Sequence, residues 1–279
     1  MSWMAKLYET YENISENDDL NKEIEPYFHK KEQCHIEIII DDHGNFIRAE
    51  SLISEVAYGK QKYWKGEDTI IPITPKSLTG RTSGAAPYPL AEQIQYVAKD
   101  YPDYGGTKKS YFNKYFELLN SWAESDKYSH FKVAAVAKYV SKGKVVCDLL
   151  RVGILFAYEE NNSTILINKW AKQGPVESGG KRRAPKPPLL NAVSGNEQGN
   201  AKIRWRVQRA GDPDDSTWDD QKLACKWQVF QGDENKANGF CQILGKECFV
   251  FNKHPKGIIP KVNDAKLIST PSDKGYITY

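Results

Sequence analysis

The sequence has only two methionines, five histidines and five cysteines, and no long apolar run. Each of these shortages excludes something. The longest apolar stretches, VAAVA from Val133 and ILFAY from Ile154, are far too short to span a bilayer, so no membrane partner is expected. The opening MSWMAKLYETYENISEN has no apolar h-region and does not read as a secretory signal. Cys34, Cys147, Cys225, Cys241 and Cys248 are odd in number and scattered, which favours reduced thiols in a cytoplasmic protein over a disulfide framework. The histidines are dispersed, and none sits in a recognisable general-base setting.

What is present is globular. Of the 279 residues 40% are hydrophobic and 27% charged, enough to bury one large core or two modest ones. The net charge of +3 is unevenly spread. Residues 1–30 carry three lysines against seven acids, a sum of −4, so the remainder sums to +7. A mild basic excess suits a polyanionic partner, but also many proteins that have none.

Periodicity predicts a helix over about Trp3–Ile14, with Trp3, Leu7, Tyr8 and Tyr11 on one face. HIEIIID, a DDHGN turn and FIRAESL read as a hairpin. TIIPITP reads as a short extended piece. Helices are expected at Leu90–Lys99, Lys108–Ser125 and His130–Lys142, and strands at Leu150–Tyr158 and Thr164–Ile167. The Gly- and Pro-rich 172–200 reads as a long surface loop. AKIRWRV then reads as a strand, TWDDQKLACKWQVFQ as a helix and FCQILGKECFVF as a hairpin, with AKLIS and YITY as closing strands. The fold class is α+β: mixed, mainly antiparallel sheets built from hairpins, with helices clustered mid-chain. The expected division is 1–171, a flexible basic loop 172–200, and a smaller region 201–279, or one continuous domain.

The motif that invites chemistry is LTGRTSGAAPYPLAEQIQYV, residues 78–97. It lacks GxxxxGK[ST], so it is not a P-loop, and Ser83 is not in a GxSxG elbow. It does offer a cationic, hydroxyl-rich turn. Arg81 carries a fork of donors, and Thr82, Ser83 and the Gly84 amide can approach a phosphate or a base edge. The competing reading is a loop whose glycines merely permit tight turning, with Pro89 opening the helix behind it. The basic run Lys181, Arg182, Arg183 and Lys186 suits either a phosphate-following arm or a solvated loop.

Cys241-x6-Cys248-x5-His254 has loose spacing for structural zinc, and no fourth ligand lies close by in sequence, so small buried side chains in a hairpin are favoured. The acids Asp214, Asp215, Asp219 and Asp220 read as a helix start entered from Ser216 in preference to a nuclease site. No metal or cofactor is expected.

The ordered blocks HIEIIIDDHGNFIRAESL, RTSGAAPYPLAEQIQYV, IRWRV, Trp218-Asp219 and FCQILGKECFVFNKHPKG with AKLIS resemble the N-terminal part of the large subunit of the type I-C CRISPR interference complex, Cascade. Family members commonly have Pro-Asn and Trp-Asp-Asn where this chain has Pro87-Tyr88 and Ala91-Glu92-Gln93. They continue past AKLIS into a helical half, so the chain reads as an N-terminal fragment. The resemblance implies a non-catalytic subunit. It would bind double-stranded target DNA and the displaced single strand, sense the protospacer-adjacent motif (PAM), and sit among crRNA-guided subunits that recruit a helicase-nuclease. Carried onto this sequence, DNA contact falls to Arg81, Thr82, Ser83 and Gly84. Gln93 is a base reader, Tyr88 a stacking or wedging residue, and Lys30, Lys31 and Lys76 flank the groove. Lys181, Arg182, Arg183 and Lys186 form a backbone-binding arm, and His254, Pro255 and Lys256 match a family block. The alternatives are a scaffold docked on neighbouring subunits and the crRNA 5′ handle, and a metal-dependent nuclease.

Overall fold

The computed structural model describes residues 3–15, 25–59, 61–78, 85–176, 184–241 and 243–250. The opening helix α1 spans Trp3–Ser15. Strand β1 (His29–Cys34) precedes the foreseen hairpin of β2 (Ile36–Asp41) and β3 (Phe46–Ser51). The Asp41 carboxylate closes that turn by accepting from the amides of His43 at 3.0 Å and Asn45 at 2.7 Å. Gly44 supplies φ +75° there, and an added Cβ would lie 2.8 Å from the Ala135 carbonyl.

A second hairpin, β4 (Ser54–Tyr58) with β5 (Gln61–Lys65), leads to β6 (Glu67–Pro72), which pairs antiparallel with β1. The one-turn α2 (Pro75–Leu78) follows. After the loop come β7 (Glu92–Gln93) and the short α3 (Ile94–Val97). The helix expected over Leu90–Lys99 is therefore reduced to one turn. Gln93 is extended (φ −68°, ψ 151°) because it pairs with Lys202, and Ala98 is extended again at the other end.

The central helices are α4 (Phe112–Ala123), α5 (Phe131–Ser141) and α6 (Val145–Arg151). The last occupies ground partly expected to be strand. Its first-turn amides at Val146 and Cys147 donate to the Asp100 carboxylate at 3.2 and 3.1 Å. The strands β8 (Ala157–Glu160) and β9 (Ser163–Leu166) form a hairpin shifted toward its turn from the expected limits. Of the expected loop 172–200, the described parts are partly ordered. They include the end of α7 (Trp170–Gln173), α8 (Pro188–Ala192) and two short 3-10 turns. Gln198 is fully buried there, accepting from the Phe156 amide and donating to the carbonyls of Phe156 and Ile167. Then come β10 (Lys202–Gln208), α9 (Gln221–Glu234), and the hairpin β11 (Gly239–Cys241) with β12 (Lys246–Cys248). AKLIS and YITY lie outside the described residues.

The result is an α+β fold of mostly antiparallel hairpins, with a four-stranded sheet in the order β3-β2-β10-β7 at its centre. β10 lies parallel to β2, so the sheet joins residues far apart in sequence. Alternation along β10 divides its side chains. Ile203, Trp205 and Val207 join Ile36, Ile38 and Ile40 in the core beneath α4, α5 and α9, where Trp122 and Trp227 meet at 4.7 Å. Lys202, Arg204 and Arg206 point to the opposite face, covered by the β1–β6 ribbon.

Candidate nucleic-acid interface

The charged face of β10 is where the candidate surface is built. Arg204 and Arg206 both donate to Glu37, at 2.8 and 2.9 Å, and their guanidinium groups lie 3.8 and 5.0 Å from the Trp218 ring. Arg204 reaches on to Glu67 and Thr69 of β6, and Arg206 to Asp215. Both arginines are committed to internal partners, and Arg204 ties the ribbon to the sheet.

One step along the strand, Lys202 donates to Glu32 at 2.5 Å, and Lys30 also pairs with Glu32. Burial pushes the Glu32 carboxyl up, but the two ammonium groups outweigh it and hold it below its usual range. Tyr88 is only 3% exposed, packed with Cys34, Ile71, Ile73 and Ala91, its ring 4.8 Å from the Lys30 ammonium and 5.3 Å from that of Lys202. In this position the ring is covered, so it offers no open stacking face.

The segment from Ala85 to Ala98 is buried almost throughout. Glu92, fully buried, accepts from the amides of Tyr88 at 3.0 Å and Gln93 at 2.8 Å, closing the chain into a tight turn. The Leu90 carbonyl receives both the Tyr115 hydroxyl and the Trp205 indole N–H at 3.1 Å. On the other side of the loop, Trp227 donates to the Ile73 carbonyl at 3.0 Å, and Ser77 and Thr74 exchange hydrogen bonds at the start of α2. Both feet of the 79–84 segment are therefore fastened.

Arg81, Thr82, Ser83 and Gly84 themselves lie outside the described residues, as do Lys181, Arg182, Arg183, His254, Pro255 and Lys256. Among the others, Lys31 is exposed on β1 beside Lys30, and Lys76 is exposed on α2 directly before the loop. Gln93 is partly exposed at the far foot, its side-chain oxygen accepting from Gln95 at 2.5 Å. Lys30 and Lys31 thus lie on the β1–β6 ribbon, Lys76 on α2 just beyond β6, and Gln93 on β7, where it pairs with Lys202. Lys186 instead bonds Asn196 at 2.6 Å near α8. Lys202, Glu32 and Glu92 were not singled out from sequence, although the alternation in KIRWRV assigns Lys202 to the charged face.

Three of the four acids at 214–220 face cations. Asp220 caps α9 through the Leu223 amide at 3.0 Å and accepts from Lys132 at 2.7 Å; Asp214 lies 3.8 Å from Lys132, and Asp215 pairs with Arg206. The cap is Asp220, four residues beyond the Ser216 entry expected, because Ser216 instead bridges to Arg206 in an isolated β contact. Among the described residues no cluster of three His, Cys, Asp or Glu is arranged to hold a metal, and no helix is long and apolar enough to cross a membrane.

Comparison with protein families decides the affiliation: the CRISPR-associated protein (Cas_Csd1) family matches residues 7–279. The chain belongs to that family. No curated protein matches it. Membership of Cas_Csd1 makes it a CRISPR-associated protein.

Proposed function

We propose that this Cas_Csd1 chain is the DNA-contacting part of a type I-C Cascade large subunit, that it senses the PAM on duplex DNA, and that it performs no chemistry itself. The observation that carries the reading is the fastened base beneath residues 79–84. The described residues on either side of this hydroxyl- and arginine-bearing segment are held by buried hydrogen bonds, Lys76 is exposed on α2 just before it, and Lys31 is exposed on β1. In the proposed mechanism Lys31, Lys76 and Arg81 hold phosphates, while Thr82, Ser83, Gly84 and Gln93 meet base edges. Guide pairing supplies the remaining specificity, and the helicase-nuclease that cuts is a separate protein.

The test is a PAM-library binding assay on the assembled complex. Arg81→Ala should weaken binding to all sequences, and Gln93→Ala should flatten PAM preference with a smaller loss of affinity. Unchanged preference in both variants refutes the assignment.

A scaffold role is the second reading, favoured by α1. Its Trp3 and Leu7 are 51% and 52% exposed, and Tyr8 is 37% exposed on the same face. An apolar stripe of this sort suits a neighbouring subunit. Association with partner subunits that survives loss of Lys31, Lys76 and Arg81 but fails with Trp3→Ala and Leu7→Ala would favour it over DNA sensing.

A further inference from the structure

The β11–β12 hairpin brings two of the five cysteines together. Cys241 stands opposite Lys246 and Cys248 opposite Gly239, so the two thiols are diagonal neighbours on one face of the ribbon. Both are partly exposed. The turn is tight: the Gly245 amide donates to the Cys241 carbonyl at 2.8 Å, with Gly245 at φ +64°. At the open end Asn238 clamps the ribbon, its side chain accepting from the Val250 amide at 2.7 Å and donating to the Val250 carbonyl at 3.1 Å.

From this arrangement we infer that Cys241 and Cys248 form a reversible redox pair, Cys241 being the attacking thiol and Cys248 the resolving one. The backbone amides of Leu244 and Ile243, with Cys248 and Lys246 adding to the effect, lower the Cys241 thiol below its usual range, whereas burial and the neighbouring Cys241 raise Cys248. The oxidant is a peroxide. The Cys241 thiolate attacks one peroxide oxygen, breaking the O–O bond and, with one proton taken up, giving a sulfenic acid and water. The Cys248 sulfur then attacks the sulfenic sulfur, displacing a second water and forming the disulfide. In sum, two thiols and one hydrogen peroxide give one disulfide and two waters. The bond cross-links the hairpin across its turn.

The other cysteines serve as internal controls. Cys34 is buried and its thiol is pushed up to about 11 by burial, whereas Cys147 and Cys225 are exposed. The test treats the full chain with stoichiometric hydrogen peroxide, then counts thiols in denaturant and maps peptides by mass spectrometry. The expected result is loss of two of the five thiols, a linked peptide pair containing Cys241 and Cys248 that is lighter by two hydrogens, and full recovery with dithiothreitol. Cys248→Ser should trap a sulfenic acid on Cys241 that reacts with dimedone, and Cys241→Ser should leave Cys248 reduced under the same dose. Preferential oxidation of Cys147 or Cys225, or a disulfide with other partners, would overturn the inference. So would equal dimedone labelling of Cys248 in Cys241→Ser.

Discussion

Several charged side chains in this protein are buried, and they are held by a partner of opposite sign or by backbone amides. Lys132 is 1% exposed and meets Asp220 at 2.7 Å and the Ser216 carbonyl at 2.9 Å, joining the N-terminal ends of α5 and α9. Burial raises the Asp220 carboxyl, but Lys132 and the Leu223 amide outweigh it and hold it below the usual range. Removing the lysine alone strands a carboxylate, so Lys132→Ala should lose about 3–5 kcal/mol of stability in urea melts. The double change Lys132→Met with Asp220→Asn keeps the helix cap and should cost clearly less. Equal losses would show that packing, not the uncompensated charge, sets the effect. Glu92 makes a similar case at the candidate interface. Glu92→Ala frees two buried amides and should destabilise by roughly 1–3 kcal/mol, with faster hydrogen exchange at Tyr88 and Gln93. Unaltered exchange at those amides would contradict its role as the closure of that turn.

Among the elements, those whose signal is local were legible in sequence. The DDHGN turn carries its own chemistry in Asp41, Gly44 and Asn45, and the alternation of KIRWRV marks a strand, although the cover over its charged face comes from pairing that the alternation does not show. Gly44→Ala should cost about 1–3 kcal/mol, because φ +75° is strained for alanine and the new Cβ meets the Ala135 carbonyl. A melting temperature within error of wild type would contradict that. What was not legible depended on pairing between distant segments. Leu90–Lys99 has a helical pattern, yet Gln93 is drawn out as a strand by Lys202 of β10. The β1–β6 ribbon is equally non-local: HKKEQC has no apolar alternation and is extended because β6 pairs with it. At the interface, the lysines beside the loop were legible as charges. The burial of Tyr88 was not, since it depends on Cys34 and on Ile71 and Ile73 from two other stretches.

For the whole molecule, the joined sheet makes stability sensitive to acid at one internal point. His35 accepts from the Lys202 amide at 3.0 Å, and burial, with Lys202 nearby, lowers its pKa to about 4. A base with a depressed folded pKa favours the neutral form. Its contribution is therefore complete above the unfolded value near 6.5 and is lost as pH falls toward 4. The span corresponds to about 3 kcal/mol, and burial of His29 and His130 acts in the same direction. Urea melts between pH 7 and pH 4 should show this loss, and His35→Gln should flatten it; an unchanged slope in the variant would place the acid sensitivity elsewhere.

The central claim is that the loop at 79–84, held on its buried base, contacts target DNA. It is tested most directly by titrating the assembled complex with a PAM-bearing duplex across a range of salt, wild type against Arg81→Ala. The account predicts a loss of about 1–3 kcal/mol in affinity and a log-log salt slope shallower by about one. Identical affinity and slope in the two proteins would contradict it.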